Sequence, residues 1–258
     1  MPGTDYRVAL RKLEARGVSG WDTYLRHNSR LPGPRANLEL LEAAVEEGDQ
    51  GRFRHWCDLD RGGEDVPDEF VLMCGVVGIG RQLAEAFDTT RRAPAGLVRE
   101  LRRYANDERW RVRDAVTMAL HRVGDVHVRP MFDIADAWGA GTPLERRAAV
   151  AAVCEPRFVL AGDAAGRRIL DLLDVVTGAY AAEPDRRADP VIALRKTLEY
   201  GWAVAVADNP ERGGARFEAW VASNDDGIRR IVRKNLDEPR LQRALPADVE
   251  RWIHLVEN

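Results

Sequence analysis

The sequence predicts an all-α fold of helical hairpins stacked side by side, an α-α superhelix in a single domain spanning residues 1–258. Three observations predict it. Apolar residues recur at helical spacing in segment after segment, turn-forming Gly, Pro, Asn and Asp interrupt them at short intervals, and no segment alternates apolar and polar residues between hairpin turns. No sheet is therefore assigned, and a plain helical bundle is the competing architecture. In the stacked reading, residues 1–66 form an N-terminal helical cap and residues 246–258 a C-terminal capping helix.

The elements follow in order. ANLELLEAAVEE and the nearly all-apolar DEFVLMCGVVGIGRQLAEAF read as helices, the second buried all round. APAGLVRELRRYAND is a shorter helix with Leu97, Leu101 and Tyr104 on one face, ending at the turn formers Asn106 and Asp107. The clearest helix runs from Glu108 to Val123, with Val112, Ala115, Val116, Ala119, Leu120 and Val123 at helical spacing and Gly124 as a stop. Thr142-Pro143-Leu144-Glu145 is a capping box with proline at the first helical position, opening a helix that ends near Cys154 before Pro156. Asp189-Pro190 opens another, with Val191, Leu194, Leu198, Gly201 and Ala205 on one side. Asp225 and Pro246 open the last two, and Val249, Trp252, Ile253 and Val256 are expected to pack onto Ile228, Ile231 and Val232.

Composition bounds the function. The chain is 45% hydrophobic and 31% charged, and no apolar run comes close to the roughly 18 residues that a membrane span needs. The first residues mix acids with bases and lack the pattern of a signal peptide, so the expected location is cytoplasmic. Cys57, Cys74 and Cys154 lie far apart in helical patterns, as reduced core thiols do. The net charge of −3 provides no global attraction to nucleic acid. Locally, Arg91, Arg92, Arg99, Arg102, Arg103, Arg109, Arg111 and Arg113 form a basic region. Two readings stay open: a phosphate-binding patch, or arginine as the usual surface cation of a chain whose lysines are Lys12, Lys196 and Lys234.

Chemistry-bearing motifs are scarce. Gly75, Gly78 and Gly80 have the reverse of dinucleotide-loop spacing and sit inside a helix, where they allow close helix packing. His27, His55, His121, His127 and His254 form no metal-ligand spacing, so neither metal nor cofactor is expected. One constellation stands out. On the helix from Glu108 to Val123, Trp110, Asp114, Thr117 and His121 project opposite the apolar stripe. A tryptophan there implies a surface that receives something, or one covered by a neighbouring repeat.

The segment NDERWRVRDAVTMALHRVGD resembles a HEAT repeat, and the chain from there to about Leu241 is similar to uncharacterised actinobacterial HEAT-repeat proteins. More distantly it resembles the HEAT-like alkylpurine DNA glycosylases. In that family two tryptophans and an aspartate surround the damaged nucleotide, and an arginine holds the backbone. The resemblance implies Trp110, Asp114 and Trp202 as catalytic residues and Arg147 as a backbone anchor; Arg109 and Arg113 would hold phosphates if the activity were retained, and Thr117 and His121, on the same helix face as Trp110, are candidate partner-binding residues. The chain departs from the pattern at Ala205, where the family usually has arginine, and in its acidic balance.

If the activity were retained, the Asp114 carboxylate and the two indole faces would stabilise positive charge developing on the deoxyribose as the base leaves. The leading expectation is different: a non-enzymatic scaffold whose concave face engages a protein or nucleic-acid partner, with no membrane association. A glycosylase-like protein acting on or sensing modified DNA is the alternative.

Overall fold

The computed structural model describes residues 5–15, 20–59, 66–160 and 162–257. The chain is 81% helical, and no strand occurs among the described residues, so the fold is all-α. It divides into two compact units, Met1–Val126 and His127–Asn258.

The first unit holds α1 (Tyr6–Ala15), α2 (Trp21–Asn28), α3 (Leu38–Glu47), α4 (Gln50–Asp58), α5 (Val66–Thr90), α6 (Ala95–Ala105) and α7 (Trp110–Val126). Its hub is α5, which packs against α2, α3, α4, α6 and α7. The helices before residue 66 pack on α5, the helix that follows them. Phe70 to Gly80 are all buried, which explains why α5 is apolar around its whole circumference. One consequence corrects a sequence expectation. Glu69–Thr90 is long and apolar enough to cross a membrane by length and composition, yet 72% of its most apolar window is buried within the protein.

Glycines let α5 serve as a hub. A Cβ at Gly78 would lie 2.3 Å from the Phe53 ring of α4, and one at Gly80 would lie 2.3 Å from the Ala119 carbonyl oxygen of α7. Close packing is thus the role of the glycine cluster. Arginines fasten the periphery. Arg81 donates to the carbonyls of Val45, Glu46 and Gly48 at the C-terminal end of α3, and Arg122 of α7 pairs with Glu42 and Glu46 of α3.

The second unit holds α8 (Val128–Gly139), α9 (Pro143–Val153), α10 (Pro156–Val159), α11 (Asp163–Ala181), α12 (Asp189–Asp208), α13 (Pro210–Val221), α14 (Asp226–Leu236), α15 (Pro239–Ala244) and α16 (Pro246–Glu257). Its centre is α12, which α9, α10, α11, α13, α14 and α15 surround, and the other helices follow one another around it. α9 contacts α12, which contacts α14; α8 contacts α11, which contacts α13, which contacts α16. The expected starts hold: the Thr142–Glu145 capping box is closed by two hydrogen bonds of 3.2 Å, and the Asp225 side chain caps Ile228 N–H at 2.9 Å.

Between successive helices runs a ladder of ion pairs. Arg168 of α11 reaches Asp133 and Asp136 of α8, Arg216 of α13 reaches Asp171 and Asp174 of α11, and Arg251 of α16 reaches Glu218 of α13. Exposed pairs of this kind contribute only about 0–1 kcal/mol each, so their effect is on register more than on strength. Inside, Asn235 is wholly buried, with its amide accepting from Ala203 N–H and donating to the carbonyls of Leu198 and Ile231, each at 2.8 Å. At the end of the chain Val249, Trp252 and Val256 are buried as expected, while Ile253 is half-buried. Trp252 meets the Phe217 ring of α13 edge-on at 5.4 Å, and Arg229 and Arg233 of α14 donate to the Val256 carbonyl.

Candidate functional site

Asp107 sets the geometry at the start of α7. Its carboxylate accepts from Arg109 N–H at 2.9 Å and from the Arg109 guanidinium at 2.8 and 2.9 Å. Burial pushes the Asp107 carboxyl up, but these side-chain and backbone hydrogen bonds and the positive charges of Arg109 and Arg113 outweigh it and hold it below its ordinary value. Arg113 donates to the carbonyls of Asp107 and Glu108, both at 2.7 Å. Arg109 and Arg113 therefore bind the turn between α6 and α7, which engages part of the guanidinium capacity that the phosphate assignment calls on.

The turn delays the helix, so Trp110 is its first residue and Glu108 precedes it. Gly124 does not stop α7, which runs on to Val126; among the described residues only Gly162 is a glycine with positive φ, so Gly124 keeps the helical conformation. Trp110 is 51% exposed, and the Arg111 guanidinium stacks on its ring at 4.4 Å. Arg111 is held in turn by Glu69 at 3.3 Å and by the Gly33 carbonyl at 3.0 Å. The result is an indole presented to solvent on a cation that is itself fixed from below.

Asp114, Thr117 and His121 lie half-buried on the same helix and away from its buried residues, as the helical wheel predicts. Arg147 is a half-buried residue of α9, and neither it nor those three is a free side chain. Trp202 departs from the expectation. It lies in α12 with no exposure, donates its Nε1–H to Thr177 Oγ1 at 3.0 Å and packs against Phe217 at 5.8 Å. It is a core residue of the second unit and presents no face to a ligand. The apolar stripe of α12 is wider than the sequence reading allowed, because α9, α11, α13, α14 and α15 all pack around that helix.

No family model, curated protein or solved structure matches the chain. The case for function rests on the side chains themselves. Among the described residues no group of three or more histidines, cysteines or carboxylates is placed to hold a metal ion. The three thiols are buried, and burial pushes Cys57 up to about 12 and raises Cys74 and Cys154 as well.

A second constellation, which sequence reasoning missed, lies in the first unit. Glu14 of α1, Trp21 and Asp22 of α2, and Asp49, Gly51, Arg52, His55 and Trp56 at the start of α4 and along it line a cleft of about 390 Å³. Asp22 organises it, accepting Trp56 Nε1–H at 2.8 Å on one oxygen and lying 2.7 Å from His55 Nε2 on the other. The indoles of Trp21 and Trp56 stack at 6.2 Å. The Arg52 guanidinium lies 4.5 Å over the Trp21 ring and pairs with Glu14 and Asp49. No local signal marks this site, because Asp22 meets its partners across more than thirty residues of chain and two separate helices.

Proposed function

We propose that the chain is a HEAT-like scaffold of stacked helical hairpins that binds a protein partner through the surface around Trp110. The hairpin reading is supported by the second unit, where α8–α9, α11–α12 and α13–α14 follow one another, each helix packing on its equivalent in the next pair. The repeated arginine-to-carboxylate ladder and the buried end helix α16 fit a stack that closes its own apolar end.

One observation carries the partner reading: Trp110, a large aromatic at 51% exposure, braced on Arg111. Tryptophan beside arginine is the composition that dominates protein interfaces, and a side chain fixed before binding loses little entropy on docking. A protein partner is favoured over DNA because Arg109 and Arg113 already bind the turn before α7 with part of their guanidinium capacity.

The test uses the wild-type chain and Trp110→Ala as paired baits in native extract, followed by titration of the recovered partner. Trp110→Ala leaves the melting temperature unchanged and weakens the partner more than about tenfold. Equal affinity for both baits overturns the assignment of the surface. Steeply salt-dependent binding to duplex DNA, with base release from an alkylated duplex that Asp114→Asn abolishes, would instead establish the glycosylase-like alternative.

A further inference from the structure

The cleft between α1, α2 and α4 carries a separate inference, which does not depend on the scaffold reading. Its lining is rich in acceptors and poor in donors. Three carboxylates, Glu14, Asp22 and Asp49, face one guanidinium, Arg52. His55, whose Nε2 lies 2.7 Å from Asp22, is half-exposed on the wall of the cleft. Beneath it lie two stacked indoles, Trp21 and Trp56, which are almost wholly buried. Such a lining favours a ligand that donates hydrogen bonds and bears positive charge.

The protein already shows this preference within itself. Arg52 occupies one indole face and two of the carboxylates at once, so a guanidinium fits the chemistry of the seat. One group is unanswered. Trp21 is 5% exposed and lines the cleft, yet its Nε1–H finds no acceptor among the described residues. A buried donor without a partner costs about 1–3 kcal/mol, and an acceptor on an incoming molecule would remove that cost. The volume of about 390 Å³ lies at the small end of the range for ligand pockets.

We propose that this cleft binds a guanidinium or ammonium side chain whose backbone supplies a hydrogen-bond acceptor, the chemistry of a basic amino acid. The charged group lies against Glu14 and Asp49, and the acceptor turns toward the Trp21 indole N–H. Two sources share this chemistry: the free amino acid, and a basic residue within a peptide.

The experiment is calorimetric titration of the full chain, at an ionic strength of about 0.15 M, where weak surface attraction is screened. The probes are L-arginine, its uncharged isostere L-citrulline, and the blocked peptide acetyl-Gly-Arg-Gly-amide. The expected result is saturable binding of arginine or of the peptide at least about tenfold tighter than citrulline; whichever of the two binds tighter identifies the source. The double variant Glu14→Gln, Asp49→Asn removes two charges while Asn keeps the α4 cap, and it is expected to lose at least about tenfold in affinity. In the wild-type chain the Trp21 indole N–H resonance, assigned by its absence in Trp21→Phe, is expected to shift on titration, a readout that survives if the double variant folds poorly. The proposal fails if neither arginine nor peptide binds up to millimolar concentration, if citrulline binds equally well, or if binding leaves the Trp21 resonance in place.

Discussion

The two units solve the same packing problem in different ways. In Met1–Val126 one long helix touches five others, and glycines let α4 and α7 approach it closely. In His127–Asn258 α12 is surrounded as fully, by α9, α10, α11, α13, α14 and α15, while the outer helices α8, α11, α13 and α16 follow one another and are joined by a recurring arginine-to-carboxylate ladder. Both units thus centre on one long helix, and they differ in the fastening: close glycine crossings on α5 in the first, a row of peripheral ion pairs in the second. Arginine serves both designs mainly as a fastener, closing helix ends at Gly48 and Val256 and bridging helices.

The largest expected effect tests the outer row of the second unit at α16. Truncation before Pro246 removes the buried Val249, Trp252 and Val256 and leaves Phe217 without its edge-on partner. A loss of at least about 3 kcal/mol in denaturant unfolding follows, since removing a buried tryptophan alone costs that much. Unchanged stability would show that α16 does not close the second unit. Cysteine labelling sharpens the comparison: Cys154 reports on the second unit and Cys57 and Cys74 on the first, so truncation is expected to speed the labelling of Cys154 selectively.

Next in size is the hub. Gly80→Ala drives a methyl group against the Ala119 backbone, which has no side chain to rotate aside. The expected cost is about 1–3 kcal/mol, read as a lower denaturation midpoint with faster labelling of Cys57 and Cys74. Gly201→Ala in α12 is its counterpart, meeting only side-chain atoms of Val150, Cys154 and Leu173 at 3.1 Å or more, and is expected to cost less. If the two substitutions cost the same, the contrast between backbone and side-chain crossings is wrong.

Acid probes both units. The Asp225 carboxyl of the second unit is lowered first by its hydrogen bond from Arg186, and Asp107 of the first is lowered on balance by Arg109 despite burial. Each folded value lies below the unfolded one. The stability they add is therefore fully present above the ordinary aspartate value near pH 4 and disappears as pH falls through the depressed folded value. Asp107→Asn and Asp225→Asn are each expected to flatten the pH dependence of the melting temperature between about pH 4 and 2. An unchanged pH profile in both variants would remove these carboxylates from the account.

The smallest effect belongs to the ladder. Arg216→Ala breaks the pairs with Asp171 and Asp174, yet these groups are substantially exposed, so the expected loss is under about 1 kcal/mol. A loss several times larger would make the ladder a main source of strength in the second unit.

The sequence by itself determined the helical class, most of the helix starts and the outward projection of Trp110, because these depend on local rules: spacing of apolar residues, capping chemistry and proline at the first turn. It also anticipated the burial of Val249, Trp252 and Val256 and the packing role of Gly78 and Gly80. Even some local evidence went unread, since Ile169, Leu170, Leu173, Val176 and Tyr180 trace the apolar face of α11. Only the tertiary structure decided which arginines are bound by their own protein, that Trp202 is core, and that Trp21, Asp22, Arg52, His55 and Trp56 meet in one cleft. The reason is physical. Helical periodicity tells which way a side chain points from its own axis, but burial and partnership depend on how many other helices surround that axis, and residues distant in the chain set that number.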